Sequence, residues 1–124
     1  CNFNWGTVTH QDIYDAIMNL SNSKSQDYYG FSNFLLKSIL DVILTPLVIV
    51  SNQCLDQGYF PEMLKISKVV PIHKKGDKYV LNNYRPISLV PVLYKVFESV
   101  MLRQLSNYFE DNKLLYAEQY GFRS

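Results

Sequence analysis

The sequence predicts an α+β fold in which N-terminal helices pack on a small antiparallel sheet, followed by a long helix. Apolar residues recur at helical spacing in three segments before residue 58. A β-branched run at 66–72 and a second apolar run at 87–90 flank a turn-forming stretch, as in a hairpin. From Pro91 the apolar period returns to about 3.6 residues. Helical and extended elements are therefore expected within one small domain.

The first helix is expected to begin at Thr9. A Thr followed three residues later by Asp12 is typical of a helix N-terminus. The apolar face of this helix would carry Ile13, Ala16, Ile17 and Leu20. The polar residues 21–23 end the pattern, and residues 27–30 are expected to form a loop.

Two further helices are expected before residue 58. Ser32 is a suitable N-cap for a helix that carries Leu35, Leu36, Ile39, Val42 and Ile43. Thr45 suits an N-cap and Pro46 the first helical position, so the chain is expected to start a new helix there. Gly58 would end that helix, because glycine readily adopts the left-handed conformation of a C-cap.

Residues 66–90 predict a strand, a turn and a returning strand after a brief helical turn at 61–64. The run at 74–77, Lys-Lys-Gly-Asp, interrupts the first apolar segment, and Asn82-Asn83 and Arg85-Pro86 precede the second. The final helix is expected from about Pro91 to Asp111, with one apolar stripe formed by Leu93, Phe97, Val100, Met101, Leu105 and Tyr108. Residues 119–123 predict a further extended or turn segment.

Positive charge concentrates on the predicted hairpin and the start of the final helix. Residues 65–103 hold eight Lys and Arg residues against two acidic residues, whereas the whole chain has a net charge of +1. Such asymmetry predicts an anion-binding face. Cations fixed on a hairpin would recognise a phosphate better than cations on a flexible segment.

Composition narrows the class of protein further. A chain that is 48% apolar and 15% aromatic can bury a core, so disorder is not expected. The most apolar run, 39–50, contains Asp41 and Pro46 and is shorter than the roughly 20 residues that span a bilayer, so we expect no contact with a membrane.

Cys1 and Cys54 are too few for a disulfide framework, which favours an intracellular protein of the cytoplasm and nucleus. The missing initiator Met and the abrupt end predict a fragment.

Several motifs in a fixed order resemble one family. Gly58-Tyr59-Phe60-Pro61 is followed by the segment from Lys65 to Asp77, by Asn83-Tyr84-Arg85-Pro86-Ile87-Ser88-Leu89, by Lys95-Val96-Phe97-Glu98 and by Gln119-Tyr120-Gly121-Phe122-Arg123. This order resembles the start of the reverse transcriptase domain of non-LTR, LINE-type retrotransposons, especially Jockey-like elements of insects. The resemblance covers residues 25–124, including the segment 27–31, and leaves residues 1–24 as an N-terminal helical extension.

The resemblance implies the fingers subdomain of a right-hand polymerase, with the palm absent. In such enzymes a Lys at the end of the first fingers strand and the Arg of an Arg-Pro motif contact the triphosphate of the incoming nucleotide. These positions fall on Lys74 and Arg85, with Lys75 as a competing choice for the Lys. Lys75, Gln119 and Arg123 are the expected template contacts, because the motif at 119–123 resembles one that lies against the template.

The resemblance also implies what this segment lacks. Nucleotidyl transfer in the family uses two metal ions held by palm carboxylates, and no strand Asp followed by a Tyr-x-Asp-Asp turn occurs here. We therefore expect no catalytic residue, no metal ligand and no polymerase activity from this chain alone, and expect Mg²⁺ in the intact enzyme. The expected partners are an RNA template, a nucleoside triphosphate and the missing palm.

Simpler interpretations of the same residues stay open at this stage. The lysines of the turn can be a solvated surface cluster, and Arg85 can pair with Asp77 or Glu98 in a surface ion pair. Tyr84 and Tyr120 are candidates for stacking on bases because they lie beside basic residues. A rival function is a non-catalytic remnant or host-recruited module that binds RNA or protein through the basic hairpin.

Overall fold

A computed structural model describes residues 3–113, which form four α-helices and a two-stranded antiparallel sheet. Short 3-10 turns occur at Glu62–Lys65 and Leu81–Asn83. The larger elements in chain order are α1 (His10–Met18), α2 (Asn33–Ser38), α3 (Leu40–Gln57), β1 (Lys68–His73), β2 (Tyr84–Leu89) and α4 (Val92–Asp111). The mixed helical and antiparallel architecture expected from the sequence is confirmed.

Helix α1 begins as its sequence predicts. The Asp12 backbone N–H donates to Thr9 Oγ1 at 3.1 Å, and the Thr9 backbone N–H donates to the Asp12 carboxylate at 2.9 Å. This reciprocal pair satisfies two backbone donors at the helix start. The predicted cap at Ser32 and the C-cap at Gly58, which has a φ of 64°, are also confirmed.

The predicted break at Thr45 and Pro46 is wrong. The chain breaks earlier, at Ile39, and α3 continues through Pro46. A proline inside a helix removes the hydrogen bond to the carbonyl four residues earlier, here that of Val42. Val42 is 75% exposed, so water can satisfy the freed carbonyl and the helix does not have to end.

The core lies between the helices. Ile13 and Ile17 of α1 are fully buried, and they share one apolar cluster with residues of α2, α3 and α4. The other buried members are Val8, Ala16, Leu36, Leu40, Val48, Val92, Val96 and Val100. The apolar stripe predicted for α4 lies largely on the core side of the helix. The two most buried residues of α4, Val92 and Val96, are not part of that predicted stripe.

Strands β1 and β2 form a hairpin that contributes no residue to this core. The expectation that the N-terminal helices pack on the sheet is therefore wrong, since they pack on one another and on α4. The strands pair from Lys68 opposite Leu89 to His73 opposite Tyr84. Pro71 lies opposite Pro86, at a position of the ladder where neither residue would donate to the other strand.

Asp27 joins the helical body to the base of the hairpin. Its side chain is buried, and one carboxylate oxygen accepts from the backbone N–H groups of Tyr29 and Phe31 at 2.9 and 3.0 Å. The other oxygen accepts from the Val92 N–H at 2.9 Å, in the first turn of α4. A negative charge is favourable at a helix N-terminus. The carboxylate therefore fixes both the 27–31 loop and the point where the chain leaves β2 for α4.

Candidate nucleotide-binding hairpin

The tip of the hairpin, residues 74–83, is held by its own hydrogen bonds. The Lys74 N–H donates to the Asn83 carbonyl at 2.7 Å and continues the ladder by one position. The Asn83 side chain donates to the Asp77 carbonyl at 2.8 Å, and the Tyr84 hydroxyl donates to the Lys78 carbonyl at 2.7 Å. These contacts cross the loop, so the basic residues project from a fixed backbone.

Gly76 makes the sharp turn of this tip possible. Its backbone φ is 88°, a value that residues other than glycine rarely adopt. A Cβ placed there would lie 2.9 Å from the Asn83 side-chain nitrogen. His73 Nε2 also lies 3.0 Å from the Gly76 carbonyl oxygen. Glycine therefore satisfies both a backbone and a packing requirement at this position.

The two predicted triphosphate ligands, Lys74 and Arg85, lie on the same face of the hairpin. Arg85 is directly opposite Ile72, and Lys74 follows Ile72 by two residues. Because side chains alternate between faces along a strand, residues two apart share a face. Lys74 and Arg85 are then diagonal neighbours, whose backbones are about 7–8 Å apart in such ladders.

Both cations are exposed and available to a ligand. Within residues 3–113 the ion pairs join Lys65 to Glu62 and Arg103 to Asp15. Arg85 therefore pairs with neither Asp77 nor Glu98 in the described part of the chain, which removes the simpler interpretation of this arginine.

The predicted template contacts are only partly visible. Lys75 is exposed in the tip, beside Lys74. Gln119 and Arg123 lie outside the described residues, as does Tyr120. Their predicted roles stay predictions.

The aromatic side chain available at the tip is Tyr79, a residue that the sequence analysis missed. Tyr79 is 96% exposed, while its backbone N–H donates to the Asp77 carboxylate at 2.9 Å. Tyr84 instead packs edge-on against His73, with ring centres 5.3 Å apart, and its hydroxyl is already bonded. The available signal was the position of Tyr79 next to Lys78 inside a turn, where an aromatic side chain has no core to enter.

Neither a metal centre nor a membrane span is found in the described part of the chain. No group of three His, Cys, Asp or Glu side chains among residues 3–113 is placed to hold a metal ion. None of the helices α1 to α4 is long and apolar enough to cross a bilayer.

Comparison with known proteins agrees with the motif order. No protein-family model matches the chain. Over 117 residues, 94% of its length, the chain is 32% identical to the RNA-directed DNA polymerase from mobile element jockey of Drosophila melanogaster. The chain is a relative of the LINE-type reverse transcriptases. Two other members from that species, the probable polymerases from transposon BS and transposon X-element, are 30% and 29% identical over 114 residues, 91% of the chain.

The family resemblance inferred from the motifs is thus confirmed. The alignment also reaches further than residues 25–124, because 117 aligned residues exceed the 100 in that range and must include part of the N-terminal segment. The chain spans 13% of the length of each of these three LINE-type relatives.

Proposed function

We propose that this chain is the fingers segment of a reverse transcriptase and that its hairpin binds the incoming nucleotide and the RNA template. The observation that carries the proposal is the common face of Lys74 and Arg85 on a hairpin whose tip is fixed by internal hydrogen bonds. The LINE-type relatives support it, since they are named as RNA-directed DNA polymerases.

The two side chains suit a triphosphate in different ways. The Arg85 guanidinium is planar and always charged, and it can donate two parallel hydrogen bonds to phosphate oxygens. The Lys74 ammonium is a compact charge on a flexible stem, which can follow the same phosphates as they move. Phosphoryl transfer depends mainly on positioning and charge stabilisation, so the hairpin contributes by holding the phosphates and not by forming bonds.

The template would lie beyond the triphosphate, along the tip. Lys75 is exposed there and suits a backbone phosphate, and we assign the same role to Gln119 and Arg123. Tyr79 offers an unpaired template base a flat apolar surface for stacking. The carboxylates and Mg²⁺ ions for the transfer step belong to the remainder of the enzyme, and this chain alone is proposed to be inactive.

The test is Arg85→Ala in a polymerase that contains this segment. We expect the KM for the nucleoside triphosphate to rise about tenfold or more, since a hydrogen bond to a charged group contributes about 1.5–3 kcal/mol. Arg103→Ala is the matched control, because Arg103 lies on α4 and faces Asp15. An unchanged KM in the Arg85 variant would remove this residue from the nucleotide site.

The rival function, a non-catalytic module that binds RNA or protein, is favoured by one observation. An open, mostly apolar groove of about 330 Å³ beside α4 is lined by Phe60, Tyr94, Phe97, Met101, Leu102 and Leu105, together with Glu98. A protein docked on this groove would bind with little dependence on salt, whereas binding through the basic hairpin weakens steeply as salt rises. Partner binding that persists at high salt and ignores the Lys74 and Arg85 side chains would favour the rival.

A further inference from the structure

One polar cavity is lined by residues that the nucleotide-binding proposal does not use. Two of them are Asp27, the first residue of the motif segment 27–31, and Lys95, the first residue of the motif segment 95–98. The cavity has a volume of about 190 Å³ and lies at the base of the hairpin, where Leu89 and Val90 lead into α4. Its polar lining includes Ser23, Ser25, Gln26, Asp27, Asn33 and Lys95.

The lining contains polar groups that are already used and groups that are not. Asp27 accepts three backbone hydrogen bonds, and the Asn33 side chain donates to Ser21 Oγ at 3.1 Å. These hydrogen bonds fix the wall of the cavity. By contrast, the side chains of Ser25, Gln26 and Lys95 have no hydrogen bond or ion pair to another residue within 3–113.

Lys95 is the one cationic residue among the residues that line this cavity. The residue is partly buried, and its ammonium forms no ion pair with a carboxylate among residues 3–113. An ammonium without a carboxylate partner can bind an anion, and the neighbouring hydroxyl and amide groups can bind uncharged oxygens.

We propose that this cavity binds one sugar-phosphate unit of a nucleic-acid strand. Lys95 Nζ contacts the phosphate, and Ser25 and Gln26 contact the sugar oxygens. The inference rests on the proposed function, because a polymerase segment must hold a strand as well as a nucleotide.

The cavity is a different site from that of the incoming nucleotide. Leu89 at its edge lies four residues from Arg85 along β2, about 13 Å at the rise of a strand. That separation is larger than the span of the phosphates of one nucleotide. Leu89 is also paired with Lys68, which brings a further cation to the base of the hairpin. A strand that follows the hairpin face from its tip would pass Lys68 before it reaches Lys95.

A metal ion does not fit this cavity. The lone pairs of the Asp27 carboxylate are directed at three N–H donors, and the cavity wall also contains a cation, Lys95. An anionic ligand with hydroxyl groups satisfies both Lys95 and the unpaired neutral groups.

The experiment measures binding of fluorescein-labelled single-stranded RNA, and of DNA of the same sequence, to the 124-residue chain by anisotropy over a salt series. Lys95→Gln is compared with Lys95→Arg and with Lys113→Gln. Lys113 is an exposed lysine two residues beyond the end of α4, about 27 Å from Lys95 at the rise of a helix. Circular dichroism establishes that each variant is folded.

We expect Lys95→Gln to weaken strand binding about five- to tenfold and to lower the salt dependence by about one phosphate contact. Lys95→Arg should retain most of the affinity, and Lys113→Gln should match the unchanged chain. A Ser25→Ala effect confined to RNA would identify the ribose 2′-hydroxyl as part of the ligand, and an equal effect on both strands would identify the shared backbone.

Two results would overturn the inference: equal binding by the Lys95→Gln and unchanged chains, or an equal loss with Lys113→Gln, which would indicate unspecific charge attraction. A parallel titration with a nucleoside triphosphate separates the two proposals. Arg85→Ala should weaken triphosphate binding and Lys95→Gln should not. If Arg85→Ala weakens triphosphate binding but Lys95→Gln leaves strand binding unchanged, the cavity proposal alone is removed. If Lys95→Gln weakens strand binding but Arg85→Ala leaves triphosphate binding unchanged, only the assignment of Arg85 is removed.

Discussion

The helical body and the hairpin of this protein are stabilised by different interactions. In the body, Ile13 and Ile17 are fully buried between helices, and capping residues satisfy the helix ends. In the hairpin no residue is buried, and Val69 and Ile72 of β1 are 64% and 49% exposed. The hairpin is held instead by its backbone ladder and by the hydrogen bonds that cross its tip.

The residues that stabilise the fold are therefore separate from the residues that the hairpin exposes on its surface. Burial of apolar surface is the main stabilising term in a fold, and it is located in the helices. The hairpin is then free to carry cations and an aromatic side chain on its surface without weakening the core. Asp27 is the connection, since its carboxylate bonds to the body and to the first turn of α4.

The largest contrast is expected between Ile17→Ala and Ile72→Ala. Ile17 has no exposed surface, so its truncation leaves a cavity and should cost about 2–5 kcal/mol of unfolding free energy. Ile72 is half exposed, and its truncation should cost less than about 1 kcal/mol. Urea unfolding followed by circular dichroism measures both. Similar losses would show that the hairpin is part of the core after all.

Asp27→Asn should produce the next largest effect. An amide has one acceptor oxygen, so at least one of the N–H groups of Tyr29, Phe31 and Val92 would be left without a partner. A buried unsatisfied donor costs about 1–3 kcal/mol, which the same urea titration detects. Asp41→Asn, an exposed acid in the first turn of α3, is the control and should change stability by about 0.5 kcal/mol or less. Equal effects of the two variants would contradict the anchoring role of Asp27.

Gly76→Ala should affect the hairpin tip alone. The positive φ and the close Asn83 side chain should cost about 1 kcal/mol or more, and the cost should appear as local opening. Hydrogen exchange would become faster at the Lys74 amide, which bonds across the tip, while amides of α1 keep their protection. Gly6→Ala is the control, because a Cβ there meets Gln104 at an ordinary 3.7 Å. Faster exchange throughout the body would refute the independence of the two regions.

Tyr79→Ala should leave stability unchanged and weaken binding of single-stranded RNA. Loss of one base stack corresponds to about 1–3 kcal/mol, or a five- to 150-fold change in affinity. An oligonucleotide with an abasic site at the stacked position has no base to stack, so the variant should bind it as well as the unchanged chain does. Tyr59→Ala removes an aromatic side chain that is 56% exposed outside the hairpin and is the control. A loss of the same size on the abasic strand would exclude stacking by Tyr79.

Local signals in the sequence predicted most of the elements. Thr9 with Asp12, Ser32 and Gly58 mark helix ends through interactions with nearby backbone groups, and such interactions depend little on the rest of the fold. The helix break predicted at Pro46 was wrong. The free-energy cost of a proline inside a helix depends on whether the freed carbonyl, here that of Val42, can reach water, and that is a property of the folded molecule.

For a related reason, only part of the candidate site could be predicted from the sequence. Lys74 and Arg85 follow from motif order, and their common face follows from strand pairing. The contacts of Tyr84 could not be predicted, because they depend on whether its ring and hydroxyl find a partner in the folded chain, whereas the position of Tyr79 inside the turn was a usable signal. The cavity around Lys95 brings together residues almost seventy positions apart, a pairing that no local pattern encodes.

The two prolines of the hairpin have a consequence for how this protein assembles. An antiparallel strand directs alternate N–H groups away from its partner, and on β1 and β2 the middle outward position of each strand is Pro71 or Pro86. Each free edge therefore lacks a donor at its centre, where an additional strand would need one. The ribbon can then remain exposed at high protein concentration without joining the ribbon of a second molecule.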